Sequence, residues 1–162
     1  SDLPDYILDR YTPAHLNSTL LTAFFSQFNI IDESDQTMLN EMIAFGKLYY
    51  IVEMISDCVQ ENIILGYDSD QYKALEENEP FIYSYFIQNE LFFENQQKEK
   101  QKYMSERPRT YEISPQVPGR IGRWLGWKIV HSYMAENEVS LEELLKETDF
   151  KKIFYNSNYK PS

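Results

Sequence analysis

Apolar residues recur at spacings of three and four along most of the chain, whereas runs that alternate apolar and polar residues are scarce. This periodicity matches the 3.6-residue turn of an α-helix, so the pattern predicts seven to nine helices. The chain has 162 residues, of which 43% are hydrophobic, and this is enough for one buried core. We therefore expect an all-α fold in which residues 1–162 form a single helical domain.

Two amphipathic helices are predicted in the first third of the chain. Thr12-Pro13 pairs a capping residue with proline at the first helical position. The helix that follows is expected to bury one apolar stripe, which consists of Leu16, Leu20, Phe24 and Phe28 and is widened by Leu21 and Phe25. A second helix, from about 35 to 56, is apolar around most of its circumference and is expected to be the central core helix. Cys58 is expected to be a buried side chain in this apolar run.

Shorter helices are predicted in the rest of the chain. They cover about 70–77, 80–94, 95–106, a run from Pro118, a helix capped at Ser140, and 149–155. Ser140 is followed three residues later by Glu143, which is the spacing of a capping box. Asp68-Ser69-Asp70 with Glu79 superficially matches a calcium loop, but Lys73 occupies the position where that loop requires glycine. We interpret these aspartates as helix-capping residues instead.

The run from Pro118 to Trp127 holds three glycines, two arginines and two tryptophans in ten residues. Gly122 and Gly126 lie one turn apart on one face of the predicted helix, and each costs about 1 kcal/mol relative to alanine. Two such costs on one face indicate that another backbone packs closely there. We expect this neighbour to be the central helix, around residues 42–50.

Arg120 and Arg123 would place two cations in the first turn of that helix, where they oppose its dipole and each other. Carboxylates elsewhere in the fold, such as Glu90 or Glu112, could compensate them through ion pairs. We expect unequal roles, with one arginine held in an internal ion pair and the other available to a protein partner.

Trp124 and Trp127 are the aromatic residues of the same run. The two cannot both lie on the apolar line through Ile121, so we expect at least one to reach the surface. An aromatic side chain flanked by arginines commonly anchors another protein. The candidate partner-binding residues are therefore Arg120, Arg123, Trp124 and Trp127.

The formal net charge of −11 is unevenly distributed. Residues 98–128 hold eight basic and three acidic residues, a net charge of +5, so the remainder carries −16. An acidic chain is a poor nucleic-acid binder, and the basic stretch lacks the pattern of a known nucleic-acid reader. The charge asymmetry favours a polar protein partner, and no cofactor is expected.

Several blocks of this sequence resemble, in the same order, the family of the gliding-motility lipoprotein GldB. The blocks are Leu3–Tyr6, Tyr11–Pro13, Met42–Tyr50, Leu65–Tyr67, Asn78–Ile87, Ser114-Pro115, Pro118–Trp127 and Asn156–Pro161. The resemblance covers nearly the whole chain. It implies a cell-envelope lipoprotein associated with gliding motility and type IX protein secretion, at the periplasmic face of the outer membrane, which binds other proteins of that machinery.

The resemblance also implies that this chain is the C-terminal part of a longer precursor, with the lipid anchor on a preceding segment. The implied fold is distantly similar to the helical half of predicted zinc proteases of the zincin class. Zincins require two histidines in the pattern His-Glu-x-x-His. His15 and His131 are the only histidines, they lie on separate predicted helices, and neither has a neighbouring glutamate.

The third zinc ligand implied by that similarity is also missing, because Phe45 stands where the protease-like pattern has glutamate. Glu41 and Glu53 lie on the same predicted helix and are interpreted as polar positions of a mostly buried helix. We therefore expect a non-catalytic protein. Two alternatives remain: the C-terminal half of a zinc-dependent peptidase whose catalytic helix lies upstream of Ser1, and a structural domain that stabilises a preceding half.

Overall fold

The computed structural model describes residues 3–8 and 10–162, and in these residues the regular secondary structure is helical, with no strand. The predicted all-α class is confirmed. The α-helices are α1 (Asp5–Leu8), α2 (Pro13–Ser26), α3 (Met38–Ile55), α4 (Glu61–Leu65), α5 (Ser69–Gln88), α6 (Gln97–Met104), α7 (Ile121–Glu136), α8 (Leu141–Lys146) and α9 (Phe150–Asn156), and Leu91–Phe93 form a short 3-10 helix. None of the helices in the described ranges is long and apolar enough to span a membrane.

Helices α3 and α7 pack against each other at the centre of the fold. Both helices are apolar around most of their circumference, so neighbours can cover them on all sides. The least exposed apolar side chains of the pair are Met38, Met42, Ile43 and Val52 in α3 and Ile121, Trp124, Leu125, Ile129 and Val130 in α7. The prediction of a central helix is confirmed in α3, which begins where the Thr37 hydroxyl accepts a hydrogen bond from the Asn40 backbone N–H.

The close contact between α3 and α7 depends on glycine. A Cβ atom at Gly126 would overlap the carbonyl group of Met42, with its carbonyl carbon only 2.5 Å away. A Cβ atom at Gly46 would lie 2.8 Å from the backbone nitrogen of Trp127. Because both obstacles are backbone atoms, a side chain at either glycine would force the two helices apart.

Lys47 links α3 to two distant segments through a fully buried ammonium group. Its Nζ donates hydrogen bonds to the carbonyl oxygens of Ile30 (2.9 Å), Leu145 (3.1 Å) and Glu147 (2.9 Å). The ammonium also lies 4.8 Å from the centre of the Phe150 ring. Burial lowers the pKa of Lys47 to about 8, because the charged form loses its hydration. The side chain thereby ties the loop after α2 to α8 and α9.

The expectation that α2 buries its stripe of four apolar residues is wrong. The exposed fractions are 54% for Leu16, 58% for Leu20, 52% for Phe24 and 51% for Phe28. Residues spaced four apart drift by about 40° per step around a helix, so such a line winds away from a straight contact. The contact with the core uses a different line instead, formed by Ser18, Leu21 and Phe25.

The prediction of separate helices at 70–77 and 80–94 is also wrong, because α5 runs continuously from Ser69 to Gln88 with Pro80 in its interior. Proline removes one backbone hydrogen bond there. The helix continues because its buried residues, Leu75, Ile82 and Phe86, lie on both sides of the proline. Asp68 caps α5 in a capping box with Gln71, as the capping interpretation predicted.

Cys58 is exposed and has a φ of 61°, in the turn after α3, so the expectation of a buried helical cysteine is wrong. Helix α3 ends at Ile55, before the cysteine is reached. The predicted capping box at Ser140 is confirmed, with Glu143 as the reciprocal residue. Asp149 caps α9 by accepting a hydrogen bond from the Lys152 backbone N–H.

Candidate functional site

Three arginines converge on the carboxylate of Glu106, and we call these four residues the Glu106 junction. Arg10 binds Glu106 with two parallel hydrogen bonds of 2.6 Å each. The Nε atom of Arg120 lies 3.2 Å from the same carboxylate, and a terminal nitrogen of Arg123 lies 3.9 Å from it. The junction joins the N-terminal segment, the end of α6 and the start of α7, and it carries more positive than negative charge.

Arg120 is the buried member of the Glu106 junction, with 6% of its surface exposed. It donates hydrogen bonds to the carbonyl oxygens of Leu65 (2.8 Å) and Gly66 (2.6 Å). Its guanidinium group lies 4.6 Å from the centre of the Tyr67 ring. Arg120 precedes α7 in the left-handed conformation, with a φ of 59°, so α7 begins at Ile121 and not at Pro118.

The ion-pair partner of the arginines is therefore Glu106, and the expectation of Glu90 or Glu112 is wrong. Glu112 instead accepts two hydrogen bonds from Arg107, of 2.9 and 3.1 Å. Arg107 is five residues away and reaches Glu112 within the same loop. The pairing of Arg10 with Glu106 could not be predicted from the sequence, because the two residues are 96 positions apart and no local pattern connects them.

Arg123 is more accessible than Arg120, with 21% of its side chain exposed against 8%. Its Nε atom donates a hydrogen bond of 2.8 Å to the carbonyl oxygen of Met104. Its guanidinium group lies 4.2 Å from the centre of the Phe45 ring. The two arginines thus differ in depth, and the more accessible one packs on Phe45.

Both tryptophans are buried, so the expectation that one of them reaches the surface is wrong. Trp124 is fully buried and Trp127 is 3% exposed. Helix α7 contacts α3, α6 and α9. Because these helices cover several of its sides, residues away from the apolar line through Ile121 are also buried. Neither tryptophan can anchor a partner without a change in the fold.

Glu53 of α3 binds two side chains of α7. It accepts a hydrogen bond of 3.0 Å from the Trp127 indole N–H, and the Nε2 atom of His131 lies 3.0 Å from its carboxylate. The His131 ring packs at 5.1 Å from the ring centres of both Trp127 and Tyr50. The hydrogen bond to Glu53 raises the pKa of His131 because it stabilises the charged imidazolium.

Gly122 faces α6 rather than the centre of α3. A Cβ atom there would overlap the Sδ atom of Met104 and would lie 3.5 Å from the Met42 side chain. The two glycines of the α7 face therefore differ, because the obstacle at Gly122 is the end of a flexible side chain. The obstacle at Gly126 is the backbone of Met42.

Across residues 3–8 and 10–162, no three histidine, cysteine or acidic side chains lie close enough together to hold a metal ion. A cleft of about 40 Å³ lies beside Arg10 and is lined by Tyr6, His15, Gly66 and Tyr67. Sites for substrates and cofactors usually enclose about 300–1,000 Å³. The cleft is therefore too small for such a molecule.

Four large apolar residues are exposed on one side of this segment, and we call them the α2 face: Leu16, Leu20 and Phe24 of α2, and Phe28, two residues beyond its end. The rings of Phe24 and Phe28 lie 5.5 Å apart and cover part of each other. Helix α2 contains no charged residue. Together these four side chains, each about half exposed, present on the order of 300 Å² of apolar surface. Exposed apolar patches of this size are often functional sites.

The family model for the gliding motility protein GldB matches residues 1–161 of the chain. The matched range includes α2, the Glu106 junction and the crossing of α3 and α7. Comparisons with curated proteins and with solved structures gave no match.

Proposed function

This chain belongs to the family of the gliding motility protein GldB, and we propose that it is a non-catalytic lipoprotein component of the cell envelope that acts by binding another protein. The binding serves gliding motility and type IX protein secretion. The proposed location is the periplasmic face of the outer membrane, with a lipid as the only attachment to the membrane. The partner belongs to the same envelope machinery.

The main support for a binding role is the exposed α2 face. Leu16, Leu20, Phe24 and Phe28 do not make the main contact with the core, because Ser18, Leu21 and Phe25 make it. An apolar surface of this size favours association, since covering it removes apolar area from water. A partner that covers the α2 face would therefore gain most of its affinity there.

The positions of the histidines support the non-catalytic part of the proposal. His131 is held by Glu53 and packed between aromatic rings. His15 lies on α2, with its Nδ1 atom 2.8 Å from the Thr12 hydroxyl. Phe45, which stacks on Arg123, supplies no ligand atom. The side chains expected of a zincin site are thus engaged in local packing at separate places.

Capture of envelope proteins from detergent extracts tests the proposal. The double variant Leu20→Ser/Phe24→Ser removes the middle of the α2 face, and we expect capture of gliding or secretion proteins to fall about ten-fold or more. Its free energy of unfolding should change by about 1 kcal/mol or less, because both side chains are half exposed.

Phe81→Ser is the matched control, since Phe81 of α5 is 54% exposed but lies outside the α2 face. This variant should capture the same proteins as the parent chain. If the double variant captures them as well as the parent does, the α2 face is not the binding surface and the proposal loses its support.

A further inference from the structure

The segment that contains the α2 face is strongly acidic. Residues 1–46 include seven acidic residues and one basic residue, Arg10, a net charge of −6. Arg10 is already bound by both carboxylate oxygens of Glu106. The segment is therefore negatively charged overall, and its one cation is already paired.

Three carboxylates follow the α2 face directly in the chain, at Asp32, Glu33 and Asp35. None of the three pairs with a lysine or arginine within the part of the chain that the structure describes. Asp32 accepts hydrogen bonds from the backbone N–H and the hydroxyl of Ser34, and both lower its pKa. Asp35 accepts one from the Thr37 backbone N–H.

Between Phe28 and these carboxylates lie Ile30 and Ile31, which are 50% and 40% exposed. Along the chain, Asn29 is the one polar residue between Phe28 and these acidic residues. A partner that covers Phe28 and the two isoleucines would bring its next residues close to the three carboxylates.

We propose that the α2 face and the acidic residues Asp32, Glu33 and Asp35 together bind an amphipathic helical segment of another protein, whose apolar side chains are followed by lysine or arginine. This inference rests on the proposed function and names the class of partner. The apolar contact would supply most of the affinity, and the charges would select basic segments over acidic ones.

The same charges disfavour the other occupants. A second copy of this chain that used the same face would bring two segments of charge −6 together, and each would carry its only cation already paired with Glu106. An anionic lipid surface would be repelled for the same reason, since helices that bind such surfaces place lysine and arginine on their polar face, and α2 has neither.

Two synthetic peptides test the inference. Both carry the same leucine and phenylalanine face, and one ends in four lysines while the other ends in four glutamates. We expect the parent chain to bind the lysine peptide about ten-fold or more tightly than the glutamate peptide, by fluorescence anisotropy at low salt. Added salt should reduce this preference.

The triple variant Asp32→Asn/Glu33→Gln/Asp35→Asn neutralises the carboxylates while keeping their local hydrogen-bond acceptors. It should lower the preference for the lysine peptide to about three-fold or less. The matched control Asp57→Asn/Glu136→Gln/Glu138→Gln changes the net charge equally at exposed positions elsewhere and should keep the preference of the parent. Leu20→Ser/Phe24→Ser should weaken binding of both peptides.

Equal binding of the two peptides, preference for the glutamate peptide, or no binding of either at about 100 μM would overturn the inference. So would a dimer that Leu20→Ser/Phe24→Ser dissociates in sedimentation equilibrium. Co-sedimentation with phosphatidylcholine or phosphatidylglycerol vesicles that requires Leu20 and Phe24 would assign the face to lipid instead. If envelope capture depends on the α2 face but the peptides bind equally, only the charge inference fails and the proposed function stands.

Discussion

Arg120 and Arg123 lie three residues apart but have different surroundings. We expect Arg120→Ala to lower the free energy of unfolding by about 3–5 kcal/mol, because it leaves the carbonyl groups of Leu65 and Gly66 without their hydrogen-bond donor and removes the buried cation beside Glu106. Arg123→Ala should cost about 1 kcal/mol, since it removes one hydrogen bond to Met104 and a stacking contact with Phe45. Urea unfolding at neutral pH measures both.

Arg120→Lys is the control for charge. A lysine keeps the cation but cannot reach Leu65, Gly66 and Glu106 in the forked geometry of a guanidinium group, so most of the loss should persist. Equal stability of the two alanine variants would contradict the assignment of unequal depths.

His131 should make stability depend on pH through Glu53. The raised pKa means that the folded state holds the proton more tightly than the unfolded state, so the stabilisation is complete below the ordinary pKa of 6.5. It is lost as the pH rises through the folded pKa. The gap in unfolding free energy between the parent and Glu53→Gln should therefore be larger at pH 6 than at pH 9.

Urea unfolding at the two pH values measures this gap, and NMR titration follows the imidazole directly. The apparent pKa of His131 should fall in Glu53→Gln, and His131→Gln identifies its resonance. A gap that is the same at both pH values would show that Glu53 acts only as a neutral hydrogen-bond acceptor for Trp127.

At the scale of helices, the crossing of α3 and α7 is held by Gly46 and Gly126. We expect Gly126→Leu to lower the free energy of unfolding by about 2 kcal/mol or more, because the side chain would meet the Met42 backbone. This loss should exceed the gain of about 1 kcal/mol in helix propensity. Thermal unfolding decides the matter.

Gly122→Ala is the comparison within the same helix. Its methyl group would meet the Met104 Sδ atom, which can move, so the variant should melt closer to the parent than Gly126→Ala does. If Gly126→Leu melts at or above the parent temperature, the close approach of α3 and α7 is not needed for stability.

For the whole molecule, we expect the purified chain to retain neither zinc nor calcium after dialysis against a weak chelator. His15 and His131 lie on different helices, and Asp68 is used as the cap of α5. Elemental analysis gives the result, with less than about 0.1 equivalent of either metal expected. His15→Gln and His131→Gln identify zinc that is bound between molecules.

One equivalent of zinc that survives in both histidine variants would contradict the non-catalytic proposal. Such a result would mean that acidic side chains or Cys58 hold a metal in an arrangement different from the one described. It would leave the family membership unchanged, because that rests on the match over residues 1–161.

The sequence by itself determined the features that depend on a few neighbouring residues. The helical class follows from the apolar spacing, the cap at Asp68 from the preference of aspartate for helix N-termini, and the cap at Ser140 from its capping-box spacing. The spacing of Gly122 and Gly126 indicated a face that meets other elements closely. All of these are local, because helix period, capping and the cost of glycine act within one or two turns.

The tertiary structure alone decided which surfaces meet and which remain open. The apolar pattern of α2 offers two lines, and only the position of the neighbouring helices selects Leu21 and Phe25 for the core and leaves the α2 face exposed. Glu106 binds Arg10, which is 96 residues away, and no local sequence pattern predicts this pair. Burial and ion pairing depend on distances between helices, and these distances exist only after the chain has packed.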